Sequence, residues 1–110
     1  LHVVDKREMQ ELNKKFRRKN VATNVLAFPS QILLEEVPLL GDIVICPIVV
    51  EAEAREQLKN LENHWAHMLV HGFFHLIGYN HMTESDGATM EALETECLKK
   101  LGINNPYLLV

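Results

Sequence analysis

Apolar residues fall along this chain in short bursts whose spacing alternates between strand-like and helical. LHVV (1–4) is a short apolar run and predicts the end of a strand. Asp5 with Glu8 three residues on has the form of a capping box, and Met9, Leu12 and Phe16 follow at helical spacing, so a helix is predicted over about residues 5–18. VLAF (25–28) predicts a second strand, stopped by Pro29, and residues 29–40, with two prolines and a Glu pair, read as a loop. DIVIC (42–46) predicts a third strand. Pro47 suits the first turn of a helix, and VVEAEAREQL continues with strong helix formers. LKNLEN is a break. A second long helix is predicted over about 61–77, with Leu61, Trp65, Met68, Leu69, Phe73 and Leu76 apolar. The stretch Thr83 to Asp86 can cap a last helix that runs to Leu101 and stops at Gly102. There are no repeats and no low-complexity segments. Short strands mixed with helices indicate α+β, or α/β with a small sheet.

Bulk properties narrow this little further. A chain of 110 residues fits one domain, here residues 1–110, with a single modest core. The longest apolar runs are only a few residues, far short of a membrane span, and no segment has the form of a signal peptide. Cys46 and Cys97 make no disulfide framework and read as buried or half-buried thiols in a reducing cytosol. The chain begins with Leu1 and enters at once on an apolar run, so the expectation is a fragment or the ordered part of something longer. The net charge of -4 argues mildly against a nucleic-acid partner, but its distribution matters more. Residues 1–20 hold seven of the eleven basic residues and three acids; the other ninety hold four bases and twelve acids. One basic end therefore sits on an acidic body. On charge alone, a solvated helix face accounts for it.

HGFFHLIGYNH (71–81) carries the chemistry. His71 and His75 are four apart on a predicted helix, hence on one face and about 6 Å apart along the axis. Gly78 is a natural left-handed terminator, so the chain can turn and bring His81 back as a third ligand. Three protein ligands leave a fourth tetrahedral position open, as in catalytic zinc sites. Singly, each His reads as an ordinary core or surface side chain; three at this spacing with Gly between them read as a metal site. Metzincin peptidases use the same spacing but place Glu directly after the first His, where this chain has Gly72. Glu84 and Asp86 follow the third His closely and could stand in for that Glu as the base, but they read first as helix-capping carboxylates. His67, one turn before His71, reads as a partner that orients a ligand imidazole. His64 and His2 read as surface residues, and Trp65, Phe73 and Phe74 as core.

These residues resemble a known family. HGFFHLIGYNH is similar to the H-G-x-L-H-L-x-G-Y-D-H signature of the YbeY endoribonucleases, metal-dependent ribosomal RNA maturation enzymes of bacteria. RRKNVATNVLAFP (17–29) resembles the family's R-x-K-x-x-x-T-[DN]-V-L-S-F-P block, with Ala27 in place of the usual Ser. LGDIVIC (40–46), HWAHMLVHG (64–72) and MEALETECLKKLGINNPY (90–107) are similar to its later strand, the lead-in to the signature and its closing helix and tail. Members usually carry another strand and helix before the position of Leu1, which supports the fragment expectation.

The resemblance implies a zincin-like α+β domain, a small mixed sheet packed against helices, with the metal site at the end of a central helix. It implies that His71, His75 and His81 bind a metal, usually taken as zinc, though three-histidine sites also accept nickel or another divalent ion. It implies that Arg17 is the arginine needed for RNA cleavage, and Lys14, Lys15, Arg18 and Lys19 then read as a phosphate-tracking groove. It implies action on single-stranded RNA in 3′-end maturation of small-subunit ribosomal RNA and ribosome quality control. The implied partners are the small ribosomal subunit and assembly factors, in the cytoplasm and away from membranes. Asn80 stands where the family has Asp, so any carboxylate role beside the third His is lost or moved. Two other classes rest on the same residues: a zinc metalloprotease-like hydrolase, against which Gly72 counts, and a non-catalytic RNA-binding assembly factor with a structural metal.

Overall fold

The computed structural model describes residues 1–29 and 41–107. The predicted loop beyond Pro29 lies outside the described residues. Among the described residues, the order is β1 (His2–Val3), α1 (Lys6–Arg17), β2 (Val25–Pro29), β3 (Gly41–Ile45), α2 (Pro47–Glu56), α3 (Leu61–Leu76) and α4 (Glu84–Lys100). The result is a small α+β domain with a three-stranded mixed sheet and four helices.

The helix boundaries follow from local chemistry. Asp5 caps α1 by accepting from the Glu8 N–H at 2.8 Å, and α1 ends where Arg18 turns left-handed at φ 59°. Pro47 opens α2, where a missing N–H costs nothing. Asn60 accepts from the Asn63 N–H to start α3, and Thr83 accepts from the Asp86 N–H to start α4. Gly102 leaves α4 at φ 80°.

β3 is the central strand, parallel to β1 and antiparallel to β2, with Val25 opposite Ile45 and Ala27 opposite Ile43. Because successive side chains alternate across a sheet, β3 serves two cores. Leu26, Val44 and Cys46 pack against Met9 of α1 on one face. Ile45 packs against Val50 of α2 and Met68 of α3, flanked by Val25, Trp65 and Leu69, on the other. Each fully buried aliphatic side chain here contributes about 1.5–3 kcal/mol. Gly72 sets how closely α3 lies on the sheet: a Cβ there would stand 3.1 Å from Val25 Cγ2 and 3.2 Å from Ile43 Cγ2. The helix axis can approach this near only because that position has no side chain.

Two expectations need correction. His64 is buried rather than at the surface, because Glu53 of α2 reaches its Nε2 at 3.2 Å. Phe73 is 41% exposed rather than core, although it follows Trp65 and Leu69 on one stripe of α3. Phe16 is exposed as well, lying edge-on against Phe28 with ring centroids 5.1 Å apart. Cys46 is buried and Cys97 half-buried, both as free thiols.

Candidate metal centre

The last two turns of α3 present His71 and His75 on one side, and the turn that follows returns His81 to them. Gly78 supplies the reversal with φ 106°, its N–H donating to the His75 carbonyl while the Tyr79 N–H donates to that of Phe74. The Asn80 side chain then accepts from the Met82 N–H at 3.1 Å, closing a tight turn around His81. As a result, each of the three imidazoles offers a nitrogen within 4.8 Å of the others.

Hydrogen bonds at the far side of each ring decide what those nitrogens are. His71 Nδ1 donates to Glu94 Oε1 in a short contact, and His75 Nδ1 donates to the Tyr79 carbonyl at 3.1 Å. With Nδ1 carrying the proton, a neutral imidazole keeps Nε2 as an acceptor, the form in which it can ligate a metal. The two Nε2 atoms face each other at 3.1 Å, a separation that suits a single cation shared between them. Two nitrogens bound to one tetrahedral zinc at about 2.0–2.1 Å each stand about 3.3 Å apart. The donor set and its spacing therefore fit a divalent ion. Burial, then the neighbouring His71 and His81, pushes the His75 pKa below the usual histidine value, keeping its ring neutral and able to ligate.

Glu94 of α4 is the residue that organises this side of the site, and it is 0% exposed. One of its oxygens holds His71; the other accepts from His67 at 3.2 Å and from the Tyr107 hydroxyl in a short contact. Burial alone would raise its pKa, but the hydrogen bonds from His67, His71 and Tyr107 outweigh that and hold it at about 2. Burial, reinforced by the bond to this carboxylate, pushes the Tyr107 hydroxyl up and keeps it a donor.

Beside the histidines lies an open cleft of about 500 Å³. Arg17, Lys19, the segment Thr23–Ala27 leading into and along β2, the three histidines, Gly72 and Asn80 all line it. Arg17 leaves the end of α1, and one of its terminal nitrogens donates to the Ala27 carbonyl at 3.1 Å. Among the described residues, that single bond fixes the guanidinium over the cleft and leaves its other donors open.

The sequence matches the family described as Endoribonuclease YbeY over residues 1–102. The chain belongs to the YbeY endoribonuclease family. An endoribonuclease YbeY from Cellvibrio japonicus (strain Ueda107) is 53% identical over 108 residues, which cover 97% of this chain and 61% of that relative. The chain thus spans less than two thirds of that relative's length. The solution structure of a Thermotoga maritima protein is similar with a TM-score of 0.54 at 28% identity, covering 97% of this chain and 75% of that one.

Other residues singled out in this YbeY-family sequence fall in different places. Of the basic residues near the end of α1, Lys19 lines the cleft, whereas Lys14, Lys15 and Arg18 are exposed outside its lining, with Lys15 lying over the Phe16 ring. His67 makes no hydrogen bond to a ligand imidazole; it reaches His71 through Glu94. Glu84 and Asp86 sit in the first turn of α4 and do not line the cleft. Glu94 and Tyr107 were missed by sequence reasoning. One local signal pointed to Glu94: it is an acid four residues after Met90 and four before Leu98, on the apolar side of α4. For Tyr107 there was none.

Proposed function

We propose that this chain carries the catalytic part of a metal-dependent, single-strand-specific endoribonuclease with a zincin-like domain. The observation that carries this reading is one cleft shared by a three-histidine cluster and the Arg17 guanidinium, in a chain of an endoribonuclease family. His71, His75 and His81 would hold the ion, with zinc the best match to three imidazoles and an open fourth position. A divalent ion held there supplies a Lewis acid that polarises a phosphoryl oxygen and acidifies water.

The chain's own residues do the rest. Phosphodiester cleavage gathers negative charge on the non-bridging oxygens, and Arg17, always protonated, can clamp two of them through its fork of donors. Lys19 adds positive charge along the same wall. Glu94 holds His71 in the tautomer that exposes Nε2, while the Tyr79 carbonyl does the same for His75. The Glu94 oxygens are fully engaged and shut off from the cleft, so Glu94 positions a ligand and moves no proton of the substrate.

Gly72 counts against a peptidase. A Glu at that position would start from a Cβ crowded by Val25 Cγ2 at 3.1 Å and Ile43 Cγ2 at 3.2 Å, and could fit only if those side chains moved. In the cell, we place the activity in 3′-end maturation of small-subunit ribosomal RNA and ribosome quality control, in the cytoplasm, with the small ribosomal subunit and assembly factors as partners. No described helix is long and apolar enough to cross a membrane. The test is to incubate zinc-loaded protein with labelled single-stranded RNA and with an unstructured protein, each with and without chelator. RNA scission lost on chelation, with the protein intact, is the expected result. Proteolysis, or RNA binding without scission, overturns the reading.

A further inference from the structure

The cleft draws on both faces of the sheet. Asn13 and Arg17 come from α1, which packs on one face, and His71, Gly72 and His75 from α3, which packs on the other. Among the described residues, the two sides meet past the outer edge of β2, the last strand in the order β1-β3-β2. The outer edge of β2 is therefore the floor of the cleft, between the histidines and Arg17.

Register decides what that edge offers. The Cys46 N–H donates to the Asn24 carbonyl at 2.9 Å, and antiparallel bonds join opposite residues on alternate pairs. The next bonded pairs are then Leu26 with Val44 and Phe28 with Asp42, so the backbone groups of Val25, Ala27 and Pro29 point outward. The Val4 N–H donating to the Ile45 carbonyl at 3.0 Å agrees, since Ile45 turns away from β2 towards β1. Two outward groups on β2 are already satisfied, and a third position offers no donor. The Val25 N–H donates to Asn24 Oδ1 at 2.6 Å, the Ala27 carbonyl accepts from Arg17, and Pro29 has no N–H. Three groups remain without a partner among the described residues: the Ala27 N–H and the Val25 carbonyl, on residues that line the cleft, and the Pro29 carbonyl beyond it. Sheet edges are usually blunted, so the two open groups on cleft residues are notable.

We propose that this edge is a rail for the RNA strand: the Ala27 N–H donates to a non-bridging oxygen of the phosphate next to the scissile one that Arg17 clamps, and the Val25 carbonyl accepts from a ribose 2′-hydroxyl. A lone N–H beside a guanidinium matches an anionic oxygen, and a lone carbonyl matches a hydroxyl that DNA lacks. The inference rests on the RNA reading above.

Ala27→Pro tests it, because proline removes an outward N–H while the ladder bonds of Leu26 and Phe28 stay, and edge strands tolerate proline at such positions. Cleavage is measured on RNAs with a neutral methylphosphonate at one linkage at a time. In the wild type, one linkage other than the scissile one should lower kcat/KM about tenfold, the size of one hydrogen bond to a charged oxygen. Ala27→Pro should lose about as much on unmodified RNA and no longer respond to that linkage, with its melting temperature and zinc content kept. Cleavage within about twofold of wild type, or sensitivity retained at that linkage, overturns the rail. If Ala27→Pro unfolds, the amide resonance of Ala27 in the wild type decides: it should shift, and its exchange slow, on adding RNA, and an unchanged signal overturns the rail. If the amide responds but no RNA is cut, the rail stands and the enzyme reading falls.

Discussion

Glu94 takes hydrogen bonds from three side chains, and its loss should be felt at the metal before it is felt elsewhere. Glu94→Gln removes the charge that His71 leans on and should weaken zinc affinity about 10–100-fold, read by competition with a chromophoric chelator. An unchanged affinity would mean that His71 needs no orientation. His64 makes a separate prediction about pH. Burial lowers its pKa below the usual histidine value, more than the Glu53 hydrogen bond and charge raise it. The unfolded chain then binds a proton near pH 6.5 that the folded chain resists, so stability is present above that pH and falls below it. Denaturant unfolding at pH 7.5 and 5.5 should show the fall, and His64→Gln should reduce it; an identical pH dependence in the variant contradicts the assignment. Residues of this kind explain what the sequence concealed. The three histidines and Arg17 stand in recognisable local spacings, whereas the burial of His64 depends on Glu53, eleven residues away, and the role of Glu94 on partners 13 to 27 residues away.

At the scale of elements, the reading from periodicity and punctuation came close, because the signals are local: Asp5, Pro47 and Thr83 start helices, and Gly102 lies just beyond the end of α4. What periodicity cannot supply is how close two elements pack. α3 lies on β2 and β3 at the distance that Gly72 permits, so this glycine is a packing requirement as well as a missing catalytic base. Gly72→Glu should therefore destabilise the fold by about 1–3 kcal/mol through overpacking, seen as a lower denaturation midpoint, and should confer no proteolysis. A stable variant that cuts protein would show that Val25 and Ile43 give way and that a carboxylate there can act as a base.

Over the whole molecule, charge and site coincide only in part. The basic end of the chain delivers Arg17 and Lys19 to the cleft and leaves Lys14, Lys15 and Arg18 outside its lining. Lys19→Ala should reduce the slope of log affinity for single-stranded RNA against log salt by about 0.7, the value for one phosphate contact on a single strand, whereas Lys14→Ala should change it less. Equal effects would spread the RNA path over the whole of α1. Net charge gave no hint of this division, because which face of a helix meets the cleft is a tertiary fact. The central claim is that the cation at Arg17 and the ion held by the histidines act on one phosphodiester. The most direct measurement is cleavage of labelled single-stranded RNA by Arg17→Ala, with zinc content determined on the same sample. The account predicts that cleavage is abolished while zinc stays near one per chain; cleavage at the wild-type rate by that variant would contradict it.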